Sequence, residues 1–213
     1  MLTIHHLGIS QSERVVWLCE ELAIPYTLTH HVRDPVTRLA PPELRALHPA
    51  GTAPVMADGD VLIAESGAIV QYIIAKHGGG RLALPPEHPD FANYLYWFHF
   101  ANGNLQPHLG RNMVLNRIEA AKGHPALLSA QERVERALAM VDARLGTVPY
   151  FAGGEFTAAD IMNVFTLTTM RYFQPWDISG YPNILSYLAR ISQRPAYIAA
   201  MAKGDPGMRL LLT

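Results

Sequence analysis

Residues 2–32, LTIHHLGISQSERVVWLCEELAIPYTLTHHV, decide the fold. Leu2 to Leu7 reads as a short buried strand that ends at Gly8. Ser10-Gln11-Ser12-Glu13 has the form of a capping box, and Val15, Leu18, Cys19 and Leu22 then recur at helical spacing. Pro25 closes that helix, and Tyr26 to Val32 carries the strand formers of a second strand. Two strands separated by one helix make a βαβ unit, whose strands must run parallel.

Further along, Pro35, Pro41, Pro42 and Pro49 mark a loop with one short helix near Glu43 to Leu47. Pro54 to Ala57 and Asp60 to Ala64 flank Asp58-Gly59, a hairpin signal. Glu65-Ser66 opens a helix that stops at Gly78-Gly79-Gly80. The proline-rich stretch 81–90 reads as a linker. From Phe91 onward strand signals vanish, and helical periodicity is expected over 91–118, 129–145, 157–173 and 183–202. The expected fold class is therefore an α/β domain over 1–80 followed by an all-α domain over 91–213.

Composition narrows the function classes. A chain of 213 residues buries about 70% of its unfolded surface, so a core forms without disulfide staples. Apolar residues are 49% and charged residues 16%, which excludes a disordered chain. A formal charge of −1 offers no basic field for nucleic acid or anionic lipid, so neither partner is expected. The low charge density points to a subunit interface. One cysteine, Cys19, excludes an internal disulfide framework, and its place on an apolar helix face reads as a buried, inert thiol. No stretch reaches membrane-span length, and Met1 to His6 lacks the form of a signal peptide, so a cytoplasmic protein is expected. The histidines include His5-His6 and His30-His31 but no helical ligand pair with an acidic partner, so no metal is expected. Phosphate loops and nucleophile elbows are missing.

Three places have the residue types for chemistry. Ser10 stands where a helix N-terminus gathers unpaired N–H groups and partial positive charge, which would stabilise a thiolate; Ser12 is the second candidate. The alternative is that Ser10 only caps the helix. Ala53-Pro54 precedes an apolar strand, where a cis proline would free backbone groups for an extended peptide. An ordinary edge proline is the alternative. Ser66 and nearby N–H groups suit a carboxylate and Glu65 an ammonium group, together an α-amino acid head; a simple N-cap is the alternative. Thr157 with Asp160 reads as a structural capping box.

In order and spacing these segments resemble the cytosolic glutathione transferase family along essentially the whole chain. The likeness rests on Ser10 ahead of Arg14, His48-Pro49-Ala50-Gly51-Thr52-Ala53-Pro54-Val55, Glu65-Ser66-Gly67-Ala68-Ile69, Tyr150 to Ile161, and Tyr181-Pro182-Asn183 leading to Arg194-Pro195. It implies a thioredoxin-like domain followed by a helical domain, usually as a homodimer, with glutathione as co-substrate. It implies that Ala53, next to Thr52 and ahead of a cis Pro54, holds the cysteinyl part through its backbone. Glu65 and Ser66 would hold the γ-glutamyl end, Arg38 the glycyl carboxylate, and Ser10 or a close neighbour would face the sulfur. No Tyr or Cys lies between Met1 and Arg14, which leaves serine-type activation for attack on an apolar electrophile or a peroxide. Phe98, Asn102, Gln106, Met113, Phe165 and Tyr172 are the candidate lining of the electrophile pocket, with core packing as the alternative. A catalytically weak glutathione-binding or scaffold protein of the same fold is the second functional reading.

Overall fold

The computed structural model describes all 213 residues. Four strands, β1 (Leu2–Leu7), β2 (Tyr26–His31), β3 (Val55–Asp58) and β4 (Val61–Ala64), form one sheet in the order β2-β1-β3-β4. β1 and β2 run parallel with Leu2 opposite Tyr26, as the intervening helix α1 (Glu13–Leu22) requires. β3 pairs antiparallel with both β1 and β4. Asp58 still pairs with Val61, so the hairpin turn is Gly59-Asp60, one residue later than the sequence suggests. Gly59 takes φ +60°, which explains a glycine there.

Alternation along β1 sorts its side chains. Leu2, Ile4 and His6 are buried on one face, while Leu7 joins Leu44, Ala53, Val55 and Ala64 on the other. Leu44 comes from the short helix α2 (Pro42–Arg45). Helix α3 (Ser66–Lys76) packs beside α1. α1 ends at Ala23, which takes a left-handed φ of +53° normally given to glycine.

The remaining helices are α4 (Phe91–Phe100), α5 (Gln106–Asn116), α6 (Pro125–Leu145), α7 (Ala158–Leu167), α8 (Pro182–Ile191) and α9 (Pro195–Gly204). The single periodic run expected over 91–118 is interrupted by a wide π turn at Ala101–Leu105, just before Pro107. α6 starts four residues earlier than expected because Pro125 opens it, with His124 as N-cap. The run 183–202 is two helices, divided where Pro195 begins α9. Thr157 and Asp160 form the expected capping box, and the buried Asp160 also accepts from Phe151 N at 3.0 Å and Tyr187 Oη at 3.1 Å.

The chain divides into two compact units, Met1–Ala83 with Ile191–Leu210, and Leu84–Arg190 with Leu211–Thr213. α9 thus groups with the α/β unit instead of the helical one. The reason lies on α1: Trp17 meets Tyr197 edge-on at 4.9 Å, and Glu21 accepts Arg194 Nε and Nη2 at 2.7 and 2.8 Å. No helix is long and apolar enough to cross a membrane.

Candidate functional site

The loop Gly8–Ser12 joins β1 to α1 and carries both candidate hydroxyls. The antiparallel pairing of β1 with β3 stops at His5, so the Leu7 N–H beyond it is left without a strand partner. Ser12 Oγ takes that bond at 3.2 Å and lies 3.3 Å from Leu7 O. Ser12 is therefore drawn back onto the strand end. It occupies the N-cap position of α1 but makes no side-chain cap bond. Ser10 Oγ lies 2.7 Å from Ser12 Oγ and accepts from Ser12 N at 3.2 Å. The expected Ser10–Glu13 capping box does not form: Glu13 N bonds Ser10 O instead, at 3.1 Å.

This corrects the expectation of unpaired amides. The N–H groups of Ser12 through Val15 already have partners in tight turns, Arg14 N with Gln11 O and Val15 N with Ser12 O. The loop's two hydroxyls, Ser10 and Ser12, lie together instead. Ser12 is fully enclosed and Ser10 nearly so, at 6% exposed.

A second chain of contacts runs across the α/β unit. The Ala53–Pro54 peptide is cis. Ala53 O accepts Gln11 Nε2 at 3.3 Å, Gln11 Oε1 accepts Arg14 Nη1 at 3.0 Å, and the same Nη1 lies 3.0 Å from Ser66 Oγ. Arg14 is wholly buried, and desolvation draws its guanidinium down to about 10, against the pull of Glu13 and Glu65. It stays charged at neutral pH. Glu65 precedes α3 with φ +73°, a conformation costing on the order of 1–3 kcal/mol for a residue with a Cβ. That turn exposes Glu65 at the mouth of α3 while Ser66 stays buried.

Of the sequence candidates, Ser10 and Ser12 are brought together, and Ala53, Pro54 and Ser66 are linked through Gln11 and Arg14, with Glu65 beside them. Thr52 is exposed immediately before Ala53. Arg38 lies in the exposed turn Asp34–Leu39 at φ +62°, and no contact joins it to that chain. In the helical unit Phe98 and Phe165 are closed off from solvent, Asn102, Gln106 and Met113 are half-buried, and Tyr172 is 41% exposed. Cys19 is enclosed, and burial pushes its thiol up to about 12, which fits an inert thiol. A shallow groove of about 590 Å³ lies along α1 and β2, lined by Cys19, Tyr26 and His30 among others. No group of His, Cys, Asp and Glu side chains is placed to hold a metal.

Gln11 and Arg14 were not assigned roles from the sequence. The available signal was an arginine on the buried side of α1, where every residue from Glu13 to Cys19 is enclosed.

A sheet of order β2-β1-β3-β4 with a cis proline entering its third strand, followed by an all-helical unit, defines a thioredoxin-like domain joined to a helical domain. The family models for the glutathione S-transferase N-terminal and C-terminal domains match residues 5–81 and 99–195. The chain belongs to the glutathione S-transferase family. It is 30% identical to glutathione S-transferase 3 of Schizosaccharomyces pombe, over 95% of this chain and 88% of that protein. It is 28% identical to glutathione S-transferase 1 of Saccharomyces cerevisiae, over 95% of each. The crystal structure of a glutathione S-transferase from Actinobacillus pleuropneumoniae superposes with TM-score 0.86 at 31% identity, covering 96% of this chain and 93% of that one. A theta-class glutathione S-transferase from Xanthomonas axonopodis pv. citri, with glutathione bound, gives TM-score 0.73 at 27% identity, over 100% and 99%.

Proposed function

We propose that the protein is a serine-type glutathione transferase, activating the thiol of glutathione for attack on an apolar electrophile or a peroxide. The observation that carries this reading is the contact chain Ala53–Gln11–Arg14–Ser66. It fixes the cis-proline edge and the start of α3 relative to the loop that bears Ser10. The peptide lies along Thr52, Ala53 and Pro54, its γ-glutamyl end held by Glu65 and Ser66 and its glycyl carboxylate by Arg38. A hydroxyl that accepts from a buried guanidinium is polarised as a donor, which suits Ser66 to a carboxylate. Ser10 donates to the sulfur, with Ser12 behind it. Asn102, Gln106, Met113 and Tyr172 line the electrophile's pocket, and Phe98 and Phe165 support it. The protein works in the cytoplasm as a homodimer, a reading supported by exposed Val61, Leu62, Leu95 and Tyr96.

Ser10→Ala is expected to raise the apparent pKa of bound glutathione and to lower turnover, with a smaller effect on binding. Glu65→Gln and Ser66→Ala are expected to weaken glutathione affinity chiefly. Calorimetric titration and a chromogenic conjugation assay across pH read both. An unchanged pH profile in Ser10→Ala removes Ser10 from the mechanism, and unaltered affinity in both other variants removes the head-group site.

A further inference from the structure

The hydroxyl pair does not end at Ser12. Ser12 Oγ lies 2.8 Å from His6 Nδ1, and His6 Nε2 lies 3.3 Å from Asp205 Oδ2. Those last two atoms have no other polar partner and approach each other without the alignment of a hydrogen bond. Asp205, just beyond the end of α9, is held from its other oxygen, where Oδ1 accepts Ile9 N at 2.8 Å. Two glycines let the pieces close. A Cβ on Gly204 would come within 3.2 Å of the His6 ring, and one on Gly8 within 3.2 Å of Asp205 Oδ1. His6 follows Leu2 and Ile4 on the buried face of β1, where packing alone calls for an apolar side chain.

An imidazole with a carboxylate at one nitrogen and a hydroxyl at the other is the arrangement of an oriented base. We propose that His6, set by Asp205, is the store for the thiol proton, acting through Ser12 and Ser10. This rests on the reading that glutathione sulfur meets Ser10. In the resting state His6 is neutral with its proton on Nε2 toward Asp205. On ionisation the S–H bond breaks and its proton passes to Ser10 Oγ. The proton of Ser10 passes to Ser12 Oγ, and that of Ser12 to His6 Nδ1. The products are a thiolate, two intact hydroxyls and an imidazolium beside the Asp205 carboxylate, so the net charge of the buried cluster and ligand is unchanged. When the conjugate leaves, the proton returns through the same two hydroxyls to water. Other titratable groups face this relay. His30 approaches the His6 ring edge-on at 5.7 Å from β2, with His31 beside it, and Arg33 lies within electrostatic reach of Asp205.

The relay makes a prediction that a hydroxyl alone does not: the thiol ionises on the protein without releasing its proton to solvent. Titrating glutathione into the full-length protein, in buffers of different ionisation enthalpy, counts the protons released. S-methylglutathione supplies the background, and ultraviolet mercaptide absorbance counts the thiolate. Wild type is expected to form thiolate at neutral pH while releasing less than about half a proton per thiolate. In Asp205→Asn, which keeps an acceptor for Ile9 N, the acid limb of kcat/KM is expected to move up by about one pH unit. The thiolate that remains should form with a full proton released. A full proton released by wild type overturns the relay while leaving glutathione binding intact, as does bound glutathione without thiolate or an Asp205→Asn profile matching wild type. Absence of heat with both glutathione and its S-methyl derivative overturns the underlying site reading, and the relay with it.

Discussion

Replacing Ser12 by alanine tests how the loop between β1 and α1 is built. Ser12 Oγ holds the Leu7 N–H at 3.2 Å and His6 Nδ1 at 2.8 Å, both in the interior. Alanine leaves those two buried groups without that partner, and each such loss costs about 1–3 kcal/mol. Relaxation of the His6 ring recovers part of this, so a loss of about 3 kcal/mol is expected. In a chain of this size that lowers the melting temperature by roughly 6–12 °C. Ser10→Ala should cost about 1 kcal/mol, because Ser10 Oγ serves Ser12 alone in the fold. Equilibrium urea unfolding, followed by a probe in the α/β unit, reads the two costs. Amide hydrogen exchange gives the local signature: protection of the Leu7 amide should fall in Ser12→Ala and persist in Ser10→Ala. Equal stabilities in the two variants, with Leu7 protection unchanged, would refute the assignment of Ser12 to the strand end.

Three further outcomes follow from local geometry. Ala23→Gly relieves the left-handed strain at φ +53° after α1 and should stabilise the protein by about 1 kcal/mol, read by thermal unfolding. Arg194→Lys removes the fork that grips both oxygens of Glu21, and should cost about 1–2 kcal/mol and raise hydrogen exchange in α9; a melt matching wild type would argue against that anchor. Burial raises the Asp160 carboxyl from 3.8 to about 6, so relative to Asp160→Asn its stability contribution is complete below pH 4 and is lost as pH rises through 6. The gap between the two proteins should shrink by up to about 3 kcal/mol across that window, and a gap independent of pH would contradict the burial argument.

Local signals carried most of the fold. The βαβ start, the hairpin, the opening of α3 at Ser66 and the Thr157–Asp160 box each depend on neighbours within a few residues, so periodicity and capping chemistry reveal them. Two departures lie at prolines that open helices: Pro125 begins α6 early, and Pro195 divides the last helical run. The grouping of α9 with the α/β unit was hidden because Glu21 and Arg194 meet only in the folded chain. The same holds for His6 and Asp205. His6 gave one usable hint, a polar residue on the buried alternation of β1, but nothing local points from it to a carboxylate after the last helix.

On the proposed site, glutathione affinity and thiol ionisation rest on different groups of the α/β unit. At the start of α3 the buried Arg14 is a permanent cation, since burial leaves its affinity for a proton far above neutral pH. Glu13 and Glu65 offset that charge, so on the proposed reading a ligand carboxylate at Ser66 competes with existing partners and gains only the difference. On that reading, contacts there set affinity. At the loop the balance differs: its fixed charges are Arg33, which donates to Gly8 O and Ile9 O, and Asp205, which accepts from Ile9 N, while Ser10 and Ser12 supply hydroxyls. A negative sulfur beside two hydroxyls is stabilised most when a compensating positive charge forms nearby, and the His6–Asp205 pair can generate one without importing an ion. Substitutions at Ser66 and at Ser12 should therefore separate cleanly. The first lowers glutathione affinity at every pH, while the second changes the pH at which bound glutathione ionises.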